Sequence, residues 1–199
     1  MRIAAVVVTC NRTDLLPRAL NSIKEQSREP DFVYIVSNSE PATYSVEQII
    51  CSEYGFSLIH NIRTQNYAGA LNTAVEEIVK QNGIQDDIYF ASLDDDDEWL
   101  PDYLGEIENQ NNKNFDLLVG SYLRLSEDEN QLMVLPDQLS SKDFLTGNPG
   151  IGGSNTFIRL KTLLKTGSFD EALTASVDRD FFVRVFQQTP SYQIINKHL

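Results

Sequence analysis

The sequence predicts an α/β domain built on a mostly parallel central sheet with helices on both faces. Strand-like and helix-like segments alternate through the first half of the chain. The strand-like segments, such as Ile3 to Thr9, are continuous apolar runs rather than alternating ones, and this pattern is typical of parallel strands buried on both sides. With 199 residues the chain is long enough for one substantial domain and too short for two comfortable ones.

The elements of the first half follow from the spacing of apolar residues. Residues 15–23 and 67–79 carry apolar side chains at helical intervals, whereas residues 3–9 form an unbroken run rich in valine. The predicted order is strand 3–9, helix 15–23, strand 32–36, helix 46–54, strand 56–59, helix 67–79 and strand 88–93. Because ligands of such sheets bind at the carboxyl ends of the strands, the residues that follow each strand are the candidates for function.

The second half of the chain has a looser pattern. A strand at 115–125, a polar turn at 126–130 and a returning strand at 131–135 predict a hairpin. A glycine-rich loop at 147–154 then precedes a strand at 155–159 and a helix at about 177–187. We therefore expect a smaller β/α part beside the main sheet.

Charge and cysteine content narrow the class of partner. The chain has 16 Lys and Arg against 29 Asp and Glu, a net charge of −13, which argues against nucleic acid or an anionic membrane surface as the main partner. No stretch approaches the about 18 apolar residues that a membrane span needs. Cys10 and Cys51 lack metal-ligand spacing and are expected to be buried free thiols in a reducing compartment. We expect a cytoplasmic protein, with attachment to the inner face of the membrane through partners or missing segments left open.

Five consecutive acidic residues, 94–98, follow the predicted strand 88–93 and are the strongest signal of function in the sequence. Neighbouring carboxylates repel each other by about 1 kcal/mol per pair at about 4 Å, even in a water-like dielectric. A hard divalent cation such as Mg²⁺ or Mn²⁺, bound through oxygen, would offset this repulsion. A solvated acidic turn is the alternative interpretation, but the position directly after a buried strand favours the cation site.

Several common nucleotide and metal motifs are absent. Residues 6–12, which include the end of the first strand, contain neither G-x-G-x-x-G nor G-K-[ST], which argues against nicotinamide-dependent dehydrogenases and P-loop kinases. An EF-hand loop that began at Asp94 would require Gly and Glu where Trp99 and Gly105 stand. Glu98 stands where a phosphatase of the haloacid-dehalogenase type carries Thr or Val.

Four groups of residues occur in an order that matches a known set of motifs. Residues 8–12 read V-T-C-N-R, residues 66–72 read N-Y-A-G-A-L-N, and residues 93–101 read L-D-D-D-D-E-W-L-P. Near the end, residues 167–171 read G-S-F-D-E and residues 177–184 read V-D-R-D-F-F-V-R. They resemble the P-T-Y-N-R, N-x-x-G-x-x-x-N, L-D-x-D-D-x-x-x-P and G-x-F-D-E with E-D-x-D-L-x-x-R motifs of the family 2 glycosyltransferases, which have the GT-A fold. The resemblance covers essentially the whole chain, although the second motif is one residue shorter and Val177 replaces the usual Glu.

The resemblance implies a role for each group. Asp96, with Asp94, would hold the metal, Mn²⁺ or Mg²⁺, while Asp97 and Glu98 would shape the loop. Asp178 would be the catalytic base. The acceptor side would be formed by Gly152, Gly153 and Ser154. The donor nucleotide would be contacted by Thr9, Asn11, Arg12, Asn38, Arg63, Asn66, Gly69, Asp94 and Asp95.

Some of these residues also have a purely structural interpretation. Asp178 could cap the predicted helix 177–187, residues 37–39 could form an ordinary turn, and the glycine-rich loop could be a flexible crossover. Asn38 stands where family members often carry an Asp that recognises uracil, so the resemblance supports the base less firmly than the fold. Arg184 is expected to pair with Asp180 at i to i+4 spacing and not to bind a ligand.

The function implied by the resemblance is inverting, metal-assisted transfer of a sugar from a nucleotide-diphosphate sugar, with a UDP-sugar favoured. The acceptor would be a carbohydrate or a lipid-linked molecule in surface polysaccharide or glycan synthesis. We expect a single catalytic domain, residues 1–199, with its nucleotide-binding half at about 1–100 and its acceptor half at about 101–199. Family members generally continue with a segment that closes over the diphosphate, so we expect this shorter chain to turn over poorly. A nucleotidyltransferase and a non-catalytic carbohydrate-binding domain stay open as alternatives.

Overall fold

The computed structural model describes residues 1–111, 113–125 and 130–196. The polar turn predicted at residues 126–130 lies, except for Asn130, outside the described residues. None of the helices among the described residues combines the length and the apolar character needed to cross a bilayer.

The first half of the chain has the predicted order of elements. Helix α2 begins five residues before the predicted start because Pro41 suits the first turn of a helix, while the apolar pattern marks only its later part. The elements are β1 Arg2–Thr9, α1 Leu16–Lys24, β2 Phe32–Ser37, α2 Pro41–Glu53, β3 Leu58–His60, α3 Tyr67–Asn82 and β4 Ile88–Asp94.

The second half differs more from the prediction. The single strand predicted at 115–125 is wrong, because the chain leaves the main sheet at Ser121 and forms two strands that belong to different sheets. The sequence pattern did not predict three short helices and the last strand. The elements are α4 Tyr103–Gln110, β5 Leu117–Gly120, β6 Tyr122–Arg124, β7 Gln131–Met133, α5 Ser141–Thr146, a 3-10 turn Gly153–Asn155, β8 Thr156–Arg159, α6 Leu160–Thr166, α7 Val177–Gln187 and β9 Tyr192–Ile195.

Within the described residues, the central sheet has seven strands in the order β3-β2-β1-β4-β8-β5-β9. Only β8 runs antiparallel to its neighbours, so the expected mostly parallel sheet is confirmed. Strands β6 and β7 form the predicted hairpin as a separate antiparallel pair. Strand β1 lies between β2 and β4, and its residues Val8 and Thr9 are level with Asp94 and Ser37. The carboxyl ends of these three strands therefore meet at one edge.

Both faces of the sheet are covered. On β1, Val6 packs on the same side as α3 and α7, whereas Val7 packs on the opposite side with α1 and α4. Full burial of such a side chain contributes about 1.5–3 kcal/mol, and this explains why the strand is apolar at every position from Ile3 to Val8. Cys51 is buried as expected, but Cys10 is exposed, contrary to the prediction, because β1 ends at Thr9 and Cys10 is the first residue of the following loop.

Candidate active site

A tight turn at the carboxyl end of β4 gathers three of the five acids. The backbone N–H of Asp97 donates to the carbonyl oxygen of Asp94 at 3.0 Å, and carboxylate oxygens of Asp94, Asp96 and Asp97 lie within 4.8 Å of one another. Hard divalent cations such as Mg²⁺ and Mn²⁺ prefer carboxylate oxygen ligands. This donor set fits such a cation, and it adds Asp97 to the two residues expected from the sequence.

Two arginines offset part of the negative charge of this turn. Nη1 of Arg12 donates to Asp95 at 2.9 Å and to Asp96 at 3.0 Å. Asp95 is only 4% exposed. Its carboxylate contacts Arg12 and does not belong to the cluster of Asp94, Asp96 and Asp97. At the end of the acidic run, Glu98 forms an ion pair with Arg18 of α1, and both side chains are about half exposed. Repulsion within the acidic run is therefore compensated partly by the protein itself.

The side chain and the backbone of Asp94 are both held. The hydroxyl of Tyr67 donates to Oδ1 of Asp94 at 2.7 Å, and the backbone N–H of Asp94 donates to Oγ of Ser154 at 3.0 Å. Burial raises the pKa of Asp94 to about 6, and the charges of Asp178 and Asp97 act in the same direction, against the hydrogen bond from Tyr67. Burial also raises the pKa of Tyr67, so its hydroxyl stays protonated and donates.

Asp178 lies in the first turn of α7 but makes no capping bond with that helix. The residue at the cap position is Ser176, in the left-handed region at φ 58°, and no side-chain capping bond is present there. The carboxylate of Asp178 instead faces the glycine-rich loop, where its Oδ2 would lie 3.6 Å from a Cβ at Gly152. Burial raises the pKa of Asp178 above the usual value, and the nearby backbone of Gly153 partly opposes the shift. The interpretation of Asp178 as a helix cap is therefore wrong.

The glycine-rich loop comes into contact with the acidic turn. A Cβ added at Gly153 would lie 2.8 Å from Oγ of Ser92 and 3.0 Å from the hydroxyl oxygen of Tyr67, so only glycine fits there without a shift. The ring N–H of Trp99 donates to the carbonyl of Ser154 at 2.8 Å, and Trp99 is buried. Beside this contact is a cavity of about 660 Å³. Its lining includes the acidic turn, the glycine-rich loop and strand β6.

The turn after β2 is built around a buried carboxylate that the sequence did not reveal. Glu47 of α2 is fully buried and accepts hydrogen bonds from the hydroxyls of Ser37 and Ser39, both at 2.6 Å. The backbone N–H of Asn11 donates to Oγ of Ser39 at 2.6 Å, which joins the ends of β1 and β2. The Thr9 hydroxyl is buried here and has no hydrogen-bond partner within the described part of the chain.

Asn38 is held by two other asparagines. Its Nδ2 donates to the carbonyl of Asn66 at 3.1 Å, and its Oδ1 accepts from Asn61 at 2.7 Å. These two bonds fix the orientation of the amide and leave one N–H and one lone pair for a ligand.

Helix α3 begins directly below this turn. Asn66 caps the helix by accepting from the backbone N–H of Gly69 at 2.8 Å. A Cβ on Gly69 would lie 2.0 Å from the carbonyl oxygen of Thr64. Both residues thus have a structural reason for their identity, in addition to any contact with a nucleotide.

Arg63 is placed away from the acidic turn. Its guanidinium pairs with Glu171 at 2.5 Å and also with Glu76. It lines a different cavity of about 960 Å³, beside α3 and the loop before α7, which is also lined by Arg184. Arg184 forms the expected ion pair with Asp180 at 2.7 Å.

Glu171 joins the two halves of the chain. Its carboxylate accepts hydrogen bonds from the hydroxyl of Thr64 at 2.6 Å and from Asn72 at 2.8 Å, besides the pair with Arg63. Burial opposes ionisation of Glu171, but these hydrogen bonds outweigh burial and lower its pKa to about 2. The segment G-S-F-D-E marked this region in the sequence, but nothing in the pattern indicated the role of its last residue.

The structure resembles solved glycosyltransferase structures at low sequence identity. TarS from S. aureus matches with a TM-score of 0.75 and 15% identity over 100% of this chain and 36% of that chain. TarS 1–349 in complex with UDP-GlcNAc gives a TM-score of 0.75 at 15% identity and covers 100% of this chain and 57% of that one. A mannosyltransferase from Pyrobaculum calidifontis in complex with GDP-Man and Mn²⁺ gives a TM-score of 0.64 at 18% identity, over 99% of this chain and 55% of that one. The shared fold confirms the GT-A expectation.

These neighbours are longer than this chain, which spans between 36% and 59% of the TarS structures. A comparison with curated proteins finds no match. The family model described as Glycosyl transferase family 2 matches residues 4–173, which is more than half of the chain. The chain therefore belongs to glycosyl transferase family 2.

Proposed function

We propose that this chain is the catalytic domain of an inverting glycosyltransferase that moves a sugar from a nucleoside diphosphate sugar to an acceptor hydroxyl. The observation that carries the proposal is the convergence of Asp178 and Asp94 on the turn at Gly153. The carboxylate of Asp178 lies beside this turn, with its Oδ2 at 3.6 Å from the position of a Cβ at Gly152, and the backbone N–H of Asp94 donates to Ser154 of the same turn. A carboxylate for proton transfer is thereby held close to an acidic cluster suited to a cation.

The donor is proposed to bind along the carboxyl ends of β1, β2 and β4, in the first half of the chain. Asn11, Arg12 and Asn38 lie on the loops at this edge, and the fixed amide of Asn38 still offers one donor and one acceptor to a base. Thr9 and Asp95 belong to the same edge, and Asn66 and Gly69 support it from the start of α3. Arg63 would reach a donor only after release from Glu76 and Glu171.

A UDP-sugar is the favoured donor. The neighbouring folds include one in complex with UDP-GlcNAc and one in complex with GDP-Man, so the fold accommodates either base. The lining of the pocket, and Asn38 above all, would decide between them.

Asp94, Asp96 and Asp97 are proposed to hold Mn²⁺ or Mg²⁺. When bound, the cation supplies positive charge that stabilises the leaving diphosphate. One neighbouring structure is a complex that contains Mn²⁺. Arg12 and Arg18 both lie beside the acidic run, and Arg12, in the loop that follows β1, would contribute to the attraction of the anionic donor.

Asp178 is proposed to act as the general base. It would accept the proton of the acceptor hydroxyl while the hydroxyl oxygen bonds to the anomeric carbon and the bond from that carbon to the diphosphate oxygen breaks. Burial raises the pKa of Asp178, which makes it a stronger proton acceptor than an exposed aspartate. No covalent intermediate with the protein is required, because attack from the face opposite the leaving group inverts the centre directly.

The acceptor side is proposed to be formed by Gly152, Gly153 and Ser154, in the second half of the chain, and by the cavity of about 660 Å³ between this loop and the acidic turn. Its volume lies within the range of small-molecule sites. A carbohydrate or a lipid-linked acceptor is the proposed class, in glycan or surface polysaccharide synthesis at the cytoplasmic side of the membrane.

The test compares Asp178→Asn with Asp180→Asn, which lies on the same helix and pairs with Arg184. Nucleotide sugars are first screened with Mn²⁺ by thermal shift, since a ligand that binds the folded state raises its apparent stability. We expect Asp178→Asn to lose sugar transfer while nucleotide binding persists, and Asp180→Asn to keep both. Transfer that persists in Asp178→Asn would exclude this residue as the base.

The products separate the other classes of function. A glycosyltransferase releases a nucleoside diphosphate, whereas a nucleotidyltransferase releases or consumes pyrophosphate. Binding of a sugar without turnover of any donor would favour the non-catalytic alternative. Full transfer in the presence of EDTA would refute the proposed metal site.

A further inference from the structure

Tyr67 links the first turn of α3 to the acidic turn at the end of β4. Its hydroxyl donates to Oδ1 of Asp94 at 2.7 Å. Tyr67 lies within the motif at residues 66–72, but at a position where the motif specifies no residue. We propose that Tyr67 is a positioning residue that orients the carboxylate of Asp94 for the divalent cation. This inference rests on the proposed function of the acidic cluster.

Asp94 is fixed at two points, and Tyr67 supplies the one that acts on the carboxylate. The backbone N–H of Asp94 donates to Ser154, and this bond places the main chain without setting the side-chain torsions. The hydroxyl of Tyr67 bonds one carboxylate oxygen, Oδ1, which leaves Oδ2 available as a ligand. A carboxylate that is already oriented need not lose rotational freedom when the cation binds.

The position of Tyr67 is itself constrained. It is the first residue of α3 and follows Asn66, whose side chain caps the helix by accepting from Gly69. On the other side, the hydroxyl oxygen would be only 3.0 Å from a Cβ at Gly153. The ring is thus held between a capped helix start and the glycine-rich loop, so the hydroxyl is directed at Asp94.

A purely structural hydrogen bond is the competing explanation, and Tyr89 provides a matched control for it. Tyr89 is a buried tyrosine on β4 whose hydroxyl donates to the carbonyl of Phe115 at 2.6 Å. Tyr67→Phe and Tyr89→Phe each remove one oxygen and one hydrogen bond. Only Tyr67 contacts a residue of the acidic cluster, so only its substitution should change the affinity for the cation.

The experiment measures Mn²⁺ affinity from the electron paramagnetic resonance signal of free Mn²⁺, with and without UDP. It uses the full chain, Tyr67→Phe, Tyr89→Phe and Asp96→Asn. Removal of a hydrogen-bond partner of a metal ligand typically weakens metal binding about 10–100-fold. We expect a loss in this range for Tyr67→Phe, affinity like that of the unsubstituted chain for Tyr89→Phe, and little binding by Asp96→Asn.

The outcomes separate this inference from the proposed function. If the unsubstituted chain binds Mn²⁺ and Asp96→Asn does not, but Tyr67→Phe equals Tyr89→Phe, the positioning role is refuted and the metal site stands. If the unsubstituted chain does not bind Mn²⁺ in either condition, both are refuted.

If Tyr67→Phe does not fold, a second measurement on the unsubstituted chain takes the place of this variant. It records the change in the near-ultraviolet absorption of tyrosine when Mg²⁺ is added. A signal that Asp96→Asn lacks would support the role, and no signal would refute it.

Discussion

Oδ2 of Asp178 lies 3.6 Å from the position that a Cβ would occupy at Gly152, although the two residues belong to separate elements. The first turn of α7 therefore lies against the start of the 3-10 turn that precedes β8. Since the same turn binds Asp94 through Ser154, the position of the proposed base relative to the acidic cluster depends on the glycine-rich loop. This loop is therefore more than a crossover between elements.

Substitution of Gly153 by alanine should disturb both stability and transfer. The added Cβ would approach Ser92 and Tyr67 at 2.8 and 3.0 Å, and overpacking of this kind costs about 1–3 kcal/mol. Gly147→Ala is the control, because a Cβ there meets nothing within 4 Å and its φ of −176° is extended backbone. Urea denaturation and initial rates of transfer measure the two effects. Equal stability of the two variants would show that the loop adapts.

Substitution of Arg12 by glutamine should destabilise the chain more than substitution of Arg18. Asp95 is 4% exposed and would lose its cation. Loss of one partner of a buried pair costs several kcal/mol, but Arg12 is half exposed and screened by solvent, so we expect about 1–3 kcal/mol. The exposed pair of Arg18 and Glu98 should contribute about 0–1 kcal/mol. Urea denaturation in EDTA at low salt compares the Arg12 and Arg18 variants. Equal losses of stability would contradict the role of Asp95 as a buried carboxylate that depends on Arg12.

The order of elements in the first half could be predicted from the sequence because burial on both faces of the sheet requires a recognisable pattern of apolar residues. Strand β1 is apolar from Ile3 to Val8, and α3 repeats its apolar residues at helical spacing. The second half offered less, since α4, α5 and α6 have only six to eight residues each, too few for a clear period. The prediction of one strand over residues 115–125 was wrong because apolar residues occur on both sides of Ser121, although the chain changes sheets there.

The sequence indicated which residue types form the candidate site, but it did not indicate the contacts between them. The acidic run and its place after a strand indicated a cation site, but the direction of each carboxylate is set by a turn and by distant partners. Asp95 faces Arg12, which lies far away in the sequence. Glu47 is buried beneath two serines, and a lone glutamate in an amphipathic helix gives no sign of such a role.

Acid should weaken the link between the two halves through Glu171. Its pKa is about 2 in the folded chain, against about 4.3 for glutamate in an unfolded chain. A depressed pKa means that the ionised group stabilises the fold above about pH 4.3, and that this contribution is lost as the pH falls toward 2. We expect Glu171→Gln to be less stable at neutral pH, by about 1–3 kcal/mol, and to depend less on pH in this window.

Thermal melts between pH 7 and about pH 2 test this expectation. Glu53→Gln is the control, since Glu53 is an exposed carboxylate at the end of α2. Parallel curves for Glu171→Gln and the unsubstituted chain would show that other carboxylates govern acid stability.

Asp97 should bind the cation and its neighbour Glu98 should not. The hydrogen bond from the N–H of Asp97 to the carbonyl of Asp94 closes the turn, and it brings the carboxylate of Asp97 into the cluster. The carboxylate of Glu98 pairs with Arg18 instead. Loss of even an indirect partner of a ligand weakens metal binding about 10–100-fold, so Asp97→Asn should lose at least about 10-fold. Glu98→Gln also removes one negative charge but should change the affinity much less. Titration with Mn²⁺ compares these variants, and equal losses would mean that the overall charge of the loop, and not the geometry of the turn, attracts the cation.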